Sequence, residues 1–215
     1  MQYPILISAA VLGAALVAAP ALAADADDHS HHHHDHDAQQ AAPEKPSTVQ
    51  PKLSDVALVA QDGRKLKLKS EVLGDKLVVV DFVYTTCTTV CPVLSALMAK
   101  VQGQLGDRAG EVQLVSITVD PARDTPARLK EYAAKYDPKP GWLWLTGPTG
   151  TVNEVLKGFG AWTPNFEDHP PQVLVGDMRT GNWTRYLGFV DPKDIMAKLD
   201  ELRAARAGGK PTAVN

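Results

Sequence analysis

Apolar side chains recur along this chain with two different periods, and the changes of period mark the elements. Residues 77–83, Leu-Val-Val-Val-Asp-Phe-Val, form a short, nearly continuous apolar run of the kind found in a strand buried on both faces. Residues 92–105 then place Leu94, Leu97, Met98, Val101 and Leu105 at helical spacing and stop before Gly106, which predicts a helix. The β-branched run at 112–119 predicts a second strand. Asp124-Thr125-Pro126 is a helix-start signal, and that helix is expected to continue to Tyr136, before Asp137-Pro138. Trp142-Leu143-Trp144-Leu145 reads as a strand and 152–159 as a short helix. Residues 173–175 and 182–189 read as two strands joined at Gly181, and 192–207 as a closing amphipathic helix. Ahead of all these, 56–68 alternates about Gln61-Asp62-Gly63, the signature of a hairpin.

Strands alternating with helices imply an α/β layer architecture. The order of elements predicts a thioredoxin-like fold, with a central mixed sheet flanked by helices and a hairpin at the domain's start. The folded domain is expected to span 53–207, with 208–215 a polar tail. No internal repeat is visible.

The N-terminal quarter has a different composition. Residues 1–23 are small and apolar and end in Pro20-Ala21-Leu22-Ala23, a secretory signal pattern, although Met1-Gln2-Tyr3-Pro4 brings no Lys or Arg. An uncleaved anchor is the alternative, because about 20 apolar residues span a bilayer. Either reading exports the chain, and a periplasmic location is expected, free or held at the inner membrane. Residues 24–52 lack large apolar side chains and read as a disordered linker. Within it lie six histidines between His29 and His36, either a loose metal-gathering tether or a solvated low-complexity stretch. The formal net charge is only −3 and no basic cluster stands out, so nucleic acid is an unexpected partner.

Two cysteines, Cys87 and Cys91, are the only ones in the chain. They follow the buried strand and precede a helix with Pro92 in its first turn, where free N–H groups and the helix dipole favour thiolate. Two uses compete: disulfide exchange and metal binding. Three intervening residues, rather than the two of thioredoxin-type sites, count mildly against simple exchange. A bridge that merely pins a five-residue loop would constrain too little chain to matter much.

His169 is the single histidine of the predicted domain, in Asp168-His169-Pro170-Pro171 ahead of the strand at 173. In a thioredoxin-like fold that loop faces the cysteine turn. Two thiolates and an imidazole are a soft, low-coordinate set suited to copper, whereas structural zinc takes a fourth ligand. A plain exposed loop histidine is the competing reading.

Four ordered stretches carry a resemblance. They are Phe82-Val83-Tyr84-Thr85-Thr86-Cys87-Thr88-Thr89-Val90-Cys91-Pro92, then Ser116-Ile117-Thr118-Val119-Asp120-Pro121-Ala122-Arg123-Asp124-Thr125-Pro126, Leu145-Thr146-Gly147 and Asp168-His169. Together they resemble the SCO/SenC family of copper-binding proteins over residues 53–203. The resemblance implies that Cys87, Cys91 and His169 bind copper, as Cu(I) or Cu(II). It also implies a role in assembling the copper centre of cytochrome c oxidase, by handing over metal or by reducing the client's cysteines. The implied partner is the oxidase subunit that carries that centre, or another copper chaperone. If the role is reductive, Cys87 and Cys91 are the catalytic pair of a thiol-disulfide oxidoreductase. Many relatives have Pro and an acidic residue between the cysteines, where this chain has Thr88-Thr89-Val90. Pro171 stands where thioredoxins carry a cis-proline. Asp124 is expected to cap the helix after it, and Asp120 to shape the site or a docking surface. Trp142 and Trp144 share a sheet face and read as packing, and Trp162 is placed to border the metal.

Overall fold

The computed structural model describes residues 45–208. The signal or anchor expected at 1–23 and the histidine tract lie outside them, as does most of the tail. The described elements, in chain order, are β1 (Ser47–Val49), β2 (Ala57–Ala60), β3 (Lys65–Lys67), a short π-helix (Leu68–Leu73), β4 (Leu77–Val83), α1 (Val90–Gln104) and β5 (Val112–Thr118). These are followed by α2 (Pro126–Ala134), β6 (Trp142–Thr146), α3 (Thr149–Phe159), β7 (Gln172–Asp177), β8 (Asn182–Leu187) and α4 (Pro192–Gly208). All eight strands join one mixed sheet in the order β1-β8-β7-β4-β5-β6-β2-β3. The α/β, thioredoxin-like expectation holds, hairpin included: Ala57 faces Lys67 and Val59 faces Lys65.

One boundary differs. Ordered structure begins before Leu53, because Ser47–Val49 pairs antiparallel with β8 as an edge strand. Three residues give too short a pattern to register as a strand, and their order comes from the partner edge they cover.

The all-apolar run of β4 is explained by its two faces. Leu77, Val79 and Val83 pack with residues of α1, α2 and α4, such as Leu94, Met98, Leu129 and Leu199. Val78, Val80 and Phe82 pack on the opposite side with α3 and the π-helix after β3, including Leu68, Val155 and Phe159. Period-two alternation therefore serves two cores at once. Asp81, at 0% exposure, breaks the pattern by placing a carboxyl among the buried side chains of this strand. The tryptophans at 142 and 144 are packing residues as expected, stacked on each other at 5.0 Å, with Trp144 also stacked on Tyr136 and meeting Tyr132 edge-on.

The topology concentrates chemistry at one end of the sheet. β4 runs parallel to β5, so the β4–α1 and β5–α2 loops leave from the same edge. β7 runs antiparallel to β4, with Val173 opposite Asp81, so the loop that enters β7 arrives at that edge too. Gly188, just past β8, donates to the Pro171 carbonyl at 2.7 Å and ties this loop down.

Candidate metal centre

Cys87 and Cys91 sit where the chain turns from β4 into α1. The Cys87 N–H donates to the Tyr84 carbonyl at 3.1 Å, which closes the turn. Thr89, the residue before the helix, makes no side-chain cap. The Cys87 sulfur does that work instead, accepting the Cys91 N–H at 3.3 Å. An orphan donor of the first helical turn is thereby aimed at a sulfur, which favours its charged form.

The two thiols are free, close and unequal. Burial opposes ionisation of Cys87, but donors from the Cys91 thiol, the Cys91 and Thr89 amides and the Tyr84 hydroxyl outweigh it and bring the pKa down to about 7. Cys91, 1% exposed, is pushed well above the usual thiol range by burial, and then by its neighbour Cys87 and the charge of Asp81. One sulfur is thus a ready thiolate and the other a protonated reserve.

Asp81 stands below this pair in the sheet. Its Oδ1 accepts the Ser116 hydroxyl at 2.5 Å, and that hydroxyl oxygen accepts the Trp142 indole N–H at 2.9 Å. Its Oδ2 is buried with no hydrogen-bond partner. Desolvation accordingly lifts its pKa to about 7. A charged residue within an apolar run was the sequence signal for it.

Asp124 does not cap α2. Thr125 does so, its hydroxyl accepting the Arg128 N–H at 3.3 Å. Asp124 turns back instead: its carboxylate accepts the Thr85 N–H at 3.2 Å, the Thr85 hydroxyl at 2.5 Å and the Thr118 hydroxyl at 2.5 Å. The reason lies in the tight turn after β5, where both the Arg123 and Asp124 amides donate to the Asp120 carbonyl. That turn aims the side chain at the cysteine loop and leaves the next residue to cap. Asp120, 4% exposed, pairs with Arg123 at 2.9 Å.

His169 is 9% exposed and lies on the loop that enters β7 at the same sheet end. Its ring meets that of Tyr84 edge-on at 5.8 Å, and Tyr84 meets Phe166 at 5.1 Å. His169 Nδ1 lies 2.8 Å from the Phe166 carbonyl. A carbonyl only accepts, so Nδ1 carries the proton and Nε2 keeps its lone pair, the arrangement that leaves an imidazole ready to ligate. The sulfurs are paired, but the imidazole is held apart: among the described residues no three His, Cys, Asp or Glu side chains converge closely enough to hold a metal. Tyr84, three residues before Cys87, carries no spacing signal of its own, yet its hydroxyl reaches Cys87 and its ring meets His169. Trp162, expected to border the metal, is 39% exposed with the Lys157 ammonium 4.6 Å from its ring centre. No peptide bond among the described residues is cis, so Pro171 does not reproduce the thioredoxin cis-proline.

Known proteins resemble this chain in sequence and fold. The SCO1 homologue of Bacillus subtilis is 36% identical over 104 residues, which is 47% of this chain and 53% of that protein. The chain spans about half the length of the first curated relatives it matches. Among solved structures, BsSco, a member of the Sco family of cytochrome c oxidase assembly proteins in which a disulfide switch was identified, is 27% identical with a TM-score of 0.61. That match covers 72% of this chain and 95% of BsSco. Yeast Sco1 with copper bound is 28% identical with a TM-score of 0.58, covering 76% of this chain and 98% of the other. The SCO1/SenC family model matches residues 44–200, most of the sequence, and the chain belongs to that family.

Proposed function

We propose that this chain is an exported copper metallochaperone that takes one copper ion on Cys87, Cys91 and His169 and helps assemble the copper centre of cytochrome c oxidase. The observation that carries this reading is the pairing of a stabilised thiolate and a second thiol at a helix start, with an imidazole of fixed tautomer on the adjoining loop. The donor set is soft, as Cu(I) prefers. The copper-bound structure of yeast Sco1 and the oxidase-assembly role of BsSco's family support the choice of cargo and client. Loading brings the His169 loop and the sulfurs together, and Cys91 gives up its proton. A site of three ligands leaves room for a client thiolate to enter as one ligand departs.

The inequality of the two thiols favours a second reading, a thiol-disulfide oxidoreductase. The Cys87 thiolate attacks one sulfur of a client disulfide and expels the other as thiolate. Cys91, deprotonated, then attacks Cys87 sulfur and releases the client's second thiolate. Two electrons pass to the client, and this chain leaves with a Cys87–Cys91 bridge.

Anaerobic copper titration of the reduced full chain separates the readings, with Cys87→Ser/Cys91→Ser subtracting any copper held elsewhere. Metallochaperone function predicts one tight equivalent that His169→Ala weakens while disulfide reduction by the variant persists. Unchanged copper affinity and stoichiometry in His169→Ala would remove the histidine from the site. Absence of a tight equivalent in the wild type, with reductase activity present, would favour the oxidoreductase.

A further inference from the structure

Between the β5–α2 turn and the histidine loop, which are far apart in sequence, the structure forms a continuous chain of contacts. Asp120 is buried and its Oδ2 accepts from Arg123 Nη1 at 2.9 Å. The Arg123 guanidinium carbon lies 5.4 Å from the centre of the Phe166 ring, within range of a cation–π contact. The Phe166 ring packs edge-on against Tyr84, and the Phe166 carbonyl fixes His169 Nδ1 at 2.8 Å. The same turn grips the other half of the site, since Asp124 accepts the Thr85 N–H and hydroxyl next to the cysteines. One seven-residue turn therefore holds both the sulfur loop and the imidazole loop.

We infer that Arg123 is a positioning residue: fixed by Asp120, it clamps Phe166 and thereby sets where His169 stands relative to Cys87 and Cys91. The Arg123 side chain is 57% exposed, and nothing about its packing accounts for a buried carboxylate being committed to it. An ordinary surface arginine would wave in solvent with little to hold it. Here the guanidinium is oriented by a carboxylate on one side and offers its charge to an aromatic face on the other, a use that lysine's point charge meets only in part. The short helical turn Phe166–Asp168 has no fully buried residue, and its one apolar side chain, Phe166, is only partly buried against the core, so the turn leans on the contacts that Phe166 makes.

This inference rests on His169 being a ligand, and the test separates the two claims. Cu(I) affinity is measured by chelator competition on the reduced full chain for wild type, Arg123→Ala, His169→Ala and the double variant. Amide hydrogen exchange of 163–171 is followed in the same copper-free proteins. The clamp predicts that Arg123→Ala weakens copper binding about tenfold, as removing an outer partner of a ligand does. It also predicts faster exchange at 166–169 with an unchanged urea midpoint, and no further loss of affinity once His169 is absent. Arg123→Lys should recover part of both effects. Phe166→Leu, which removes the aromatic face without stranding Asp120, should reproduce them and serves if Arg123→Ala fails to fold. Equal losses with and without His169, or unchanged exchange at 166–169, would overturn the clamp. If His169→Ala leaves affinity intact, the ligand assignment fails instead, and the exchange data alone then decide the clamp.

Discussion

Replacing Asp124 by Ala should loosen the cysteine loop, and the size of the effect follows from its contacts. The carboxylate accepts three groups: the Thr85 amide, the Thr85 hydroxyl and the Thr118 hydroxyl. Hydrogen bonds to a charged acceptor contribute about 1.5–3 kcal/mol each. Two terms reduce the sum. Burial raises the pKa of Asp124, so desolvating its charge already offsets part of the gain. The two hydroxyls also rotate towards water or other acceptors once the carboxylate is gone, whereas the amide is fixed. A net loss of about 3 kcal/mol results, within the range for breaking a buried network. Asn keeps one oxygen for the amide and should cost about 1 kcal/mol. With a urea slope of about 2 kcal/mol/M, Asp124→Ala lowers the unfolding midpoint by about 1.5 M, read by tryptophan fluorescence on the reduced protein. A shift below about 0.3 M would refute the latch, and an Asn variant as damaged as Ala would refute the assignment of the amide as its main client.

Two further outcomes follow from the titrating groups. Asp81 has a folded pKa of about 7 against an ordinary 3.8, so the unfolded chain ionises first as pH rises and stability falls between about pH 4 and pH 7, then levels. Asp81→Asn removes that slope: the difference in unfolding free energy between variant and wild type should grow in the variant's favour by up to about 4 kcal/mol across the window, and a pH-independent difference would contradict the buried-carboxyl reading. Alkylation of the native reduced protein should label Cys87 with a midpoint near pH 7 and leave Cys91 unreacted until denaturation; preferential labelling of Cys91 would invert the assignment of thiolate and reserve.

The pattern of apolar positions revealed the layers because burial on two faces leaves a periodic trace, as Val78 and Val79 show by serving opposite cores. The cysteine pair was equally legible, since strand, turn and helix start are all local features. Asp124 was misread for a physical reason. Asp-Thr-Pro offers two capping oxygens in succession, and only the turn at Asp120, a contact invisible to spacing, decides that Thr125 caps while Asp124 turns inward. Tyr84 and Arg123 escaped notice because their roles arise from loops that meet only in three dimensions. β1 was missed because three residues cannot display a period. Asp81 was visible as a charge in an apolar run, but its effect on Cys91 required the fold.

The central claim is that Cys87, Cys91 and His169 close on a single copper ion, although no three such side chains converge among the described residues and the His169 ring packs edge-on against Tyr84. X-ray absorption of the reduced full chain loaded with one equivalent of Cu(I), compared with His169→Ala, tests it most directly. The prediction is two sulfur ligands and one imidazole in the wild type, with the imidazole scattering lost in the variant. Two sulfurs with no imidazole in the wild type, or a spectrum unchanged by the substitution, would contradict it.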